Sequence, residues 1–233
     1  MSSYISQNAD LAKTVKIGKN VIIKNNVKIK DNSVIGNNVI IKEDTVIGKN
    51  CIIEDNSVLG DILEINENTK LSPLIIEDNV RIGANLVIFR GSRISENAVI
   101  DDLSIIKEKV IIEQNAIIGN NVIIDSNAFI GKHSRIGSKC YISPFSIIES
   151  YCELGINVHF KKEELLISNN RIKTKEKIII KKGSRIGSNV TILPGVEIGK
   201  NVIVLEGSYV ISNLLPNKIY GGTPATQIEN KHY

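Results

Sequence analysis

An aliphatic residue returns every six positions along almost the whole chain. The phase begins at Ile5, Leu11, Ile17 and Ile23, continues to Leu59 and Ile65, slips near Pro73, resumes at Ile76 and holds through Leu154 to Phe160. A last run takes Ile180, Ile186, Ile192, Ile198, Val204 and Val210. Four residues after each lead the side chain is small or β-branched, as at Val21, Ser33, Thr45, Ala98, Ala116 and Ser184, with Leu63 and Leu86 as exceptions. One large and one small inward position per hexad predict a short strand followed by a corner, stacked so that side chains nest in a narrow shaft. The corner itself is mostly Asn or Gly, as at Asn20, Asn38, Asn121, Gly183 and Gly207. Those residues tolerate a positive φ.

Composition agrees with a thin, regular interior. Hydrophobic residues make up 42% of the 233, which excludes a disordered chain, yet aromatics supply only 4%, with no Trp. The core is therefore aliphatic. The 29 basic and 25 acidic residues are scattered rather than gathered into a block, so the pattern argues against nucleic acid as a partner. No apolar run approaches the roughly 18 residues of a membrane span, and the first residues lack a signal-peptide pattern, so a cytoplasmic protein without membrane insertion is expected. Cys51, Cys140 and Cys152 all fall on the small inward position and read as packing residues rather than nucleophiles, disulfide partners or metal ligands.

Departures from a regular solenoid are where function is expected. Residues 60–75 are poorly phased, residues 161–179 lose the hexad altogether and predict a protruding loop, and residues 213–233 leave the repeat as a C-terminal cap or tail. A subtler departure is the corner position between 103 and 151, which holds Leu103, Lys109, His133, Lys139, Phe145 and Tyr151. Bulky side chains there cost strain and point to a partner interface or a substrate wall.

The hexad register, and the segments reading GSRIGSNVTILPGVEIG at 183–199 and PNKIYGGTPA at 216–225, resemble the hexapeptide-repeat acyltransferases. The resemblance covers about nine tenths of the chain. It implies an all-β, left-handed parallel β-helix over residues 1–212, with three hexads per coil. The roughly thirty hexads then make about ten coils, near ~48 Å tall at about 4.8 Å per coil. On 18-residue coils, His133 and Tyr151 lie one above the other. Fourteen hexads from Ile76 to Leu154, then Phe160 and a loop, are closest in layout to the nucleotide-sugar N-acetyltransferases.

That resemblance implies a homotrimer transferring an acetyl group from acetyl-CoA to an amino group, or a hydroxyl, of a nucleotide-linked sugar for surface glycans such as lipopolysaccharide. Carried over by position, Ser188 and Gly207 face the coenzyme arm, while Gly222 and Pro224 shape its nucleotide end. Glu206 stands where relatives keep a small residue, and Lys218, Lys200 or Lys231 are the cations available for the coenzyme phosphates. The candidate bases are His159, just before the loop, His133 on its corner, and Asp102, which with Asp101 occupies a hexad where similar enzymes place a Gly-His pair. His232 lies in the tail. No metal is expected, because only His133 and His159 fall within the prism and a three-histidine site is out of reach. Glu206, Ile211 and the missing Gly-His pair motivate the alternative of a catalytically silent scaffold or glycan-binding β-helix.

Overall fold

The computed structural model describes residues 3–62, 72–162 and 177–228. Three parallel sheets of eleven, ten and twelve strands wrap one shaft, and successive strands of the chain step from sheet to sheet in strict rotation. The first face carries Tyr4–Ile5, Ile22–Ile23 and every third strand after them; the second starts at Asp10–Leu11 and the third at Lys16–Ile17. The chain is a parallel β-helix of about eleven turns, in keeping with the left hand that the resemblance implies.

Most strands are only two residues long, one pointing out and one in. The inward lead residues from Ile23 onward are almost wholly buried, and so are their small partners four residues later. Alternation is enough to decide this, because successive side chains of a strand face opposite sides. Inward serines are satisfied between coils: Ser104 Oγ donates to Gly119 O at 3.1 Å and accepts the Val122 N–H at 3.0 Å. A buried hydroxyl without such partners costs free energy. The three cysteines are buried and unpaired, and burial pushes the Cys140 and Cys152 thiols up to about 11. At neutral pH they are unreactive thiols filling the shaft.

Corners are held by one repeated contact. A left-handed residue donates its N–H to a carbonyl of the preceding coil, as Asn121 does to Asp102 at 2.8 Å and Tyr151 to Lys132 at 2.9 Å. Among the described residues 23 non-glycine positions have positive φ, and 16 of them are Asn, so the corner backbone accounts for most of the asparagine phase. Asn side chains add ladders along the edges, such as Asn38 to Asn56 at 2.9 Å. Leu103, Lys109, His133, Lys139, Phe145 and Tyr151 adopt the same left-handed geometry with side chains that do not carry the amide of that ladder. Glycine at the start of a corner answers to proximity instead: a Cβ on Gly137 would come within 2.3 Å of Gly155 O in the next coil.

Both insertions leave from the corner between the first and second faces. At the first, the second-face strand above Val46–Ile47 is Ile75–Ile76, so the coil position expected of Ile65 is taken by Ile76. The register there cannot continue by sixes, because the chain departs after Asp61 and returns eleven residues late; Ile65 itself lies outside the described residues. Arg90, in the next coil, ties this corner down through Asp44 at 2.8 Å. At the second insertion, Phe160 is followed on the second face by Ile179–Ile180. Most of the expected 161–179 loop lies outside the described residues. Residues 213–228 continue the shaft: Leu214 bridges to Ile198, Ile219–Gly221 pairs with the third face, and Thr226–Gln227 turns back antiparallel onto it.

Outward positions of the first face are aliphatic through half its height: Ile22, Ile40, Val58, Val87, Ile105 and Ile123, all half-buried. No helix of the described residues is long and apolar enough to cross a membrane.

The corner contact makes a stability prediction. Leu103 sits at φ 63 with 57% of its surface exposed, between Asn85 and Asn121 on one edge. Leu103→Asn is expected to raise unfolding stability by about 1 kcal/mol, through relief of left-handed strain and completion of the ladder. Urea denaturation followed by circular dichroism checks it, and an unchanged or lower midpoint would contradict the corner account.

Candidate active site

Above Ile123 the first face changes character. In consecutive coils its outward positions become Tyr141, His159, Thr191 and Tyr209, each in register with the next. The period of 18 residues places the Tyr141 ring directly under the His159 imidazole, with centroids 5.1 Å apart and planes 29° off parallel. Among the described residues, no side chain hydrogen-bonds the imidazole of this exposed histidine. Partial burial and the neighbouring Lys161 charge hold its pKa below the ordinary value. At neutral pH it is therefore a neutral imidazole able to accept a proton.

Beside this stack, on the corner where the second insertion leaves, lies a charged cluster. The Asp125 side chain is only 5% exposed and carries four donors. Lys162 Nζ approaches Oδ2 at 2.6 Å and Lys107 Nζ approaches Oδ1 at 3.1 Å. The Tyr141 hydroxyl donates to Oδ2 at 2.8 Å, and the Ser126 N–H donates to Oδ1 at 2.9 Å. Burial pushes the Asp125 carboxyl up, but these hydrogen bonds and the lysine charges outweigh it and leave it below the usual carboxylate range. Lys162 also lies over the Tyr141 ring, 5.2 Å from its centroid.

The expected coenzyme residues largely gather along the neighbouring corner, between the third and first faces. Gly207 N donates to Ser188 O at 2.8 Å, and the Ser188 hydroxyl accepts the Ile156 N–H at 3.2 Å. Gly207 has φ 67, and a Cβ there would meet nothing within 4 Å, so its backbone lies open to approach. Glu206 is exposed beside it. The segment with Gly222 and Pro224 closes on the same coil: Tyr209 N donates to Gly222 O at 3.0 Å and Ala225 N to Tyr209 O at 2.9 Å. His159 borders this edge, because its register partner Thr191 stands three residues after Ser188. Lys218 is separated from them, since it follows Asn217 on the corner between the second and third faces.

The other two candidate bases are placed elsewhere. His133 stacks on Tyr151 at 4.9 Å and 13°, on the corner between the second and third faces, with Lys182 over the Tyr151 ring. Asp102 shares the corner of Ser188 but lies four coils earlier, about 19 Å at the usual strand spacing. Its carboxylate accepts the Ala84 N–H at 2.8 Å, a coil-to-coil cap like those made by Asp55 and Asp78. Within one chain His159, His133 and Asp102 do not meet.

Asp125, Tyr141, Lys107 and Lys162 escaped the sequence reading. The signal available was the 18-residue interval between Tyr141 and His159, together with an acid just after the aliphatic lead Ile124. Two shallow clefts, of about 250 and 390 Å³, lie on the second face among Glu77, Glu96, Arg93 and Lys132, away from this cluster. Their rims are occupied by ion pairs and hydrogen bonds that belong to the coils, such as Arg93 with Glu77 and Gln114 with Glu96. Among the described residues, no group of three or more His, Cys, Asp or Glu side chains is placed to hold a metal ion.

Comparison with known proteins gives two family matches. Residues 115–150 and 177–212 match the bacterial transferase hexapeptide (six repeats), and residues 17–111 match the GMPPB C-terminal domain. No curated protein matches the sequence. Among solved structures, the chain is similar to LpxA, a UDP-N-acetylglucosamine acyltransferase from Bacteroides fragilis. The identity is 20%, the TM-score 0.54, and the match covers 97% of this chain and 72% of that one. It is also similar to AntD, an N-acyltransferase from Bacillus cereus in complex with dTDP and coenzyme A, at 22% identity and TM-score 0.45 over 64% of this chain and 82% of that one. The likeness to LpxA shows the fold.

The Asp125 cluster fixes a pH dependence. A carboxyl whose folded pKa is depressed contributes stability that is complete above its unfolded value, near ~3.9, and is lost as pH falls through the folded value. Asp125→Asn is therefore expected to be less stable at neutral pH and to lose less stability between about pH 5 and pH 3 than the parent chain. Denaturant midpoints across that range check it, and parallel profiles would mean that the cluster contributes nothing.

Proposed function

We propose that this chain, a hexapeptide-repeat protein of the bacterial transferase type, moves an acetyl group from acetyl-CoA to an amino group of a nucleotide-linked sugar, with His159 as its base. The observation that carries the reading is the position of His159. It is a neutral, exposed imidazole on the first face, bordering the edge that holds Ser188, Glu206, Gly207, Gly222 and Pro224. The sugar nitrogen attacks the thioester carbonyl, a tetrahedral oxyanion forms, His159 takes the proton from nitrogen, and the thiolate of coenzyme A leaves. Transfer to a hydroxyl is the close variant, and depends more heavily on the base because a neutral hydroxyl is the poorer nucleophile.

The active form is proposed to be a cytoplasmic homotrimer serving surface-glycan synthesis. Two features support the trimer. The half-buried aliphatic row from Ile22 to Ile123 gives a prism face that association can cover. Lys218 and His133 lie on a different corner from Ser188 and Gly207, so a site using both edges requires neighbouring copies. The competing reading, a silent scaffold or glycan-binding helix, is favoured by one observation: Glu206 stands exposed among the residues expected to face an anionic coenzyme. Lys200 and Lys231 remain alternative phosphate partners, Lys231 lying outside the described residues.

Calorimetric titration of the purified chain with coenzyme A and acetyl-CoA tests the reading directly. Micromolar binding near one molecule per chain is expected; no binding at millimolar ligand would leave the scaffold as the better account. With a turnover assay on amino-sugar nucleotides, His159→Ala is expected to lower kcat by about 10²- to 10⁴-fold while leaving coenzyme affinity unchanged. An unchanged kcat would remove His159 as the base.

A further inference from the structure

We propose that Tyr141 is the positioning residue of His159, and that Asp125, clamped by Lys107 and Lys162, holds Tyr141 in that role. The inference deepens the reading of His159 as a base and rests on it for its catalytic meaning. An imidazole that must accept a proton needs a fixed plane, and a base is commonly oriented by a hydrogen bond to its second nitrogen. His159 has no such bond among the described residues. What fixes its plane is the Tyr141 ring 5.1 Å beneath it, and stacking leaves both ring nitrogens for a ligand.

A ring can orient its neighbour only if it is itself held. The Tyr141 hydroxyl is tied to Asp125 at 2.8 Å and its face is covered by Lys162 at 5.2 Å. The rest of the molecule supplies a control. Tyr151 stacks on His133 just as closely, yet it is 53% exposed and its hydroxyl makes no hydrogen bond among the described residues. Asp125 also differs from the other corner acids. Asp55, Asp78 and Asp102 accept backbone N–H groups of the preceding coil, whereas the Asp125 carboxylate bonds only the Ser126 N–H of its own corner and the side chains of Tyr141, Lys107 and Lys162. A buried carboxylate is costly, and this one ties together Lys107 of the coil below, Tyr141 of the coil above and Lys162 at the insertion corner rather than capping a backbone N–H of the preceding coil. Its partners connect it to His159 and to no other candidate residue.

The electrostatics point the same way. The charged and titratable groups around the imidazole are Tyr141 beneath it, Lys161 after it, and Asp125, Lys107 and Lys162 on the adjacent corner, with Thr191 above. Partial burial, with the Lys161 charge beside it, disfavours the imidazolium and keeps the imidazole neutral.

The test uses the full chain and two readouts, an NMR titration of the His159 imidazole, assigned by its loss in His159→Ala, and steady-state kinetics. Tyr141→Leu, which removes the ring, is expected to move the His159 pKa up toward the ordinary value and to lower kcat on the order of 10²-fold with KM for acetyl-CoA unchanged. Tyr141→Phe keeps the ring and loses the tie, so a smaller effect is expected. Combining it with Asp125→Asn should be no worse than Asp125→Asn alone, because both changes cut one connection. A folded Tyr141→Leu chain whose His159 titration and kcat match the parent overturns the proposal, as does full additivity of Tyr141→Phe with Asp125→Asn. If the parent chain turns over no amino-sugar nucleotide, the titration alone decides: a shifted His159 pKa sustains the positioning role while the catalytic reading fails, and an unshifted one overturns it.

Discussion

The hydrogen bond from most corner residues to a carbonyl of the preceding coil governs the rest of this molecule. It forces a left-handed backbone at the fourth position of the hexad, and the donors stack from coil to coil along each edge, as in Lys139 to Asn120 and Asn157 to Ser138, both at 2.9 Å. Once that contact repeats, the strands between corners can be two residues long, the inward side chains need only alternate large and small, and each coil repeats the one below it. Asparagine is favoured because it tolerates the left-handed region and its amide bonds the equivalent residue of the next coil, as Asn157 does to Asn189 at 2.9 Å. Where the corner is instead His133 or Tyr151, the compensation is a stacked aromatic pair with Lys182 over it.

A scaffold specified by its corners and its shaft leaves its outward positions undetermined, and the proposed chemistry uses those positions. The first face divides at Ile123. Before it stands an aliphatic row suited to burial, and after it the Tyr141, His159, Thr191 and Tyr209 ladder. The charged cluster of Asp125, Lys107 and Lys162 sits where these two regimes meet the corner from which the second insertion departs. The two insertions share that corner, so the other two edges stay regular and can present continuous surfaces. One of them holds the Ser188, Glu206 and Gly207 edge that borders His159.

The conflict within the proposed coenzyme edge is physical. Gly207 offers open backbone, while Glu206 places a carboxylate beside it. An acid next to an anionic ligand must be turned away or offset by a cation, and the candidate Lys218 stands on another corner. A neighbouring copy is the simplest means of bringing a cation to that edge, and this links the coenzyme question to assembly.

The sequence by itself determined the β-helix, the inward set, the corner set and the packing role of Cys51, Cys140 and Cys152, because each is a one-dimensional consequence of a six-residue phase that any side chain either obeys or breaks. It also indicated the stack of His133 on Tyr151, which the 18-residue coil fixes. It counted on to Ile65 for the coil position that Ile76 holds, since a register can be counted only while the chain does not leave the coil. The tertiary structure alone decided that His159 shares a side with Ser188 and Gly207 while His133 and Lys218 do not. It alone showed Asp102 capping Ala84 rather than facing a cleft, and Asp125 reaching Tyr141, Lys107 and Lys162. The first outcome depends on how the chain rejoins the coil after the second insertion, and the others on which rotamer a side chain takes between coils; the periodic pattern carries no information about either choice.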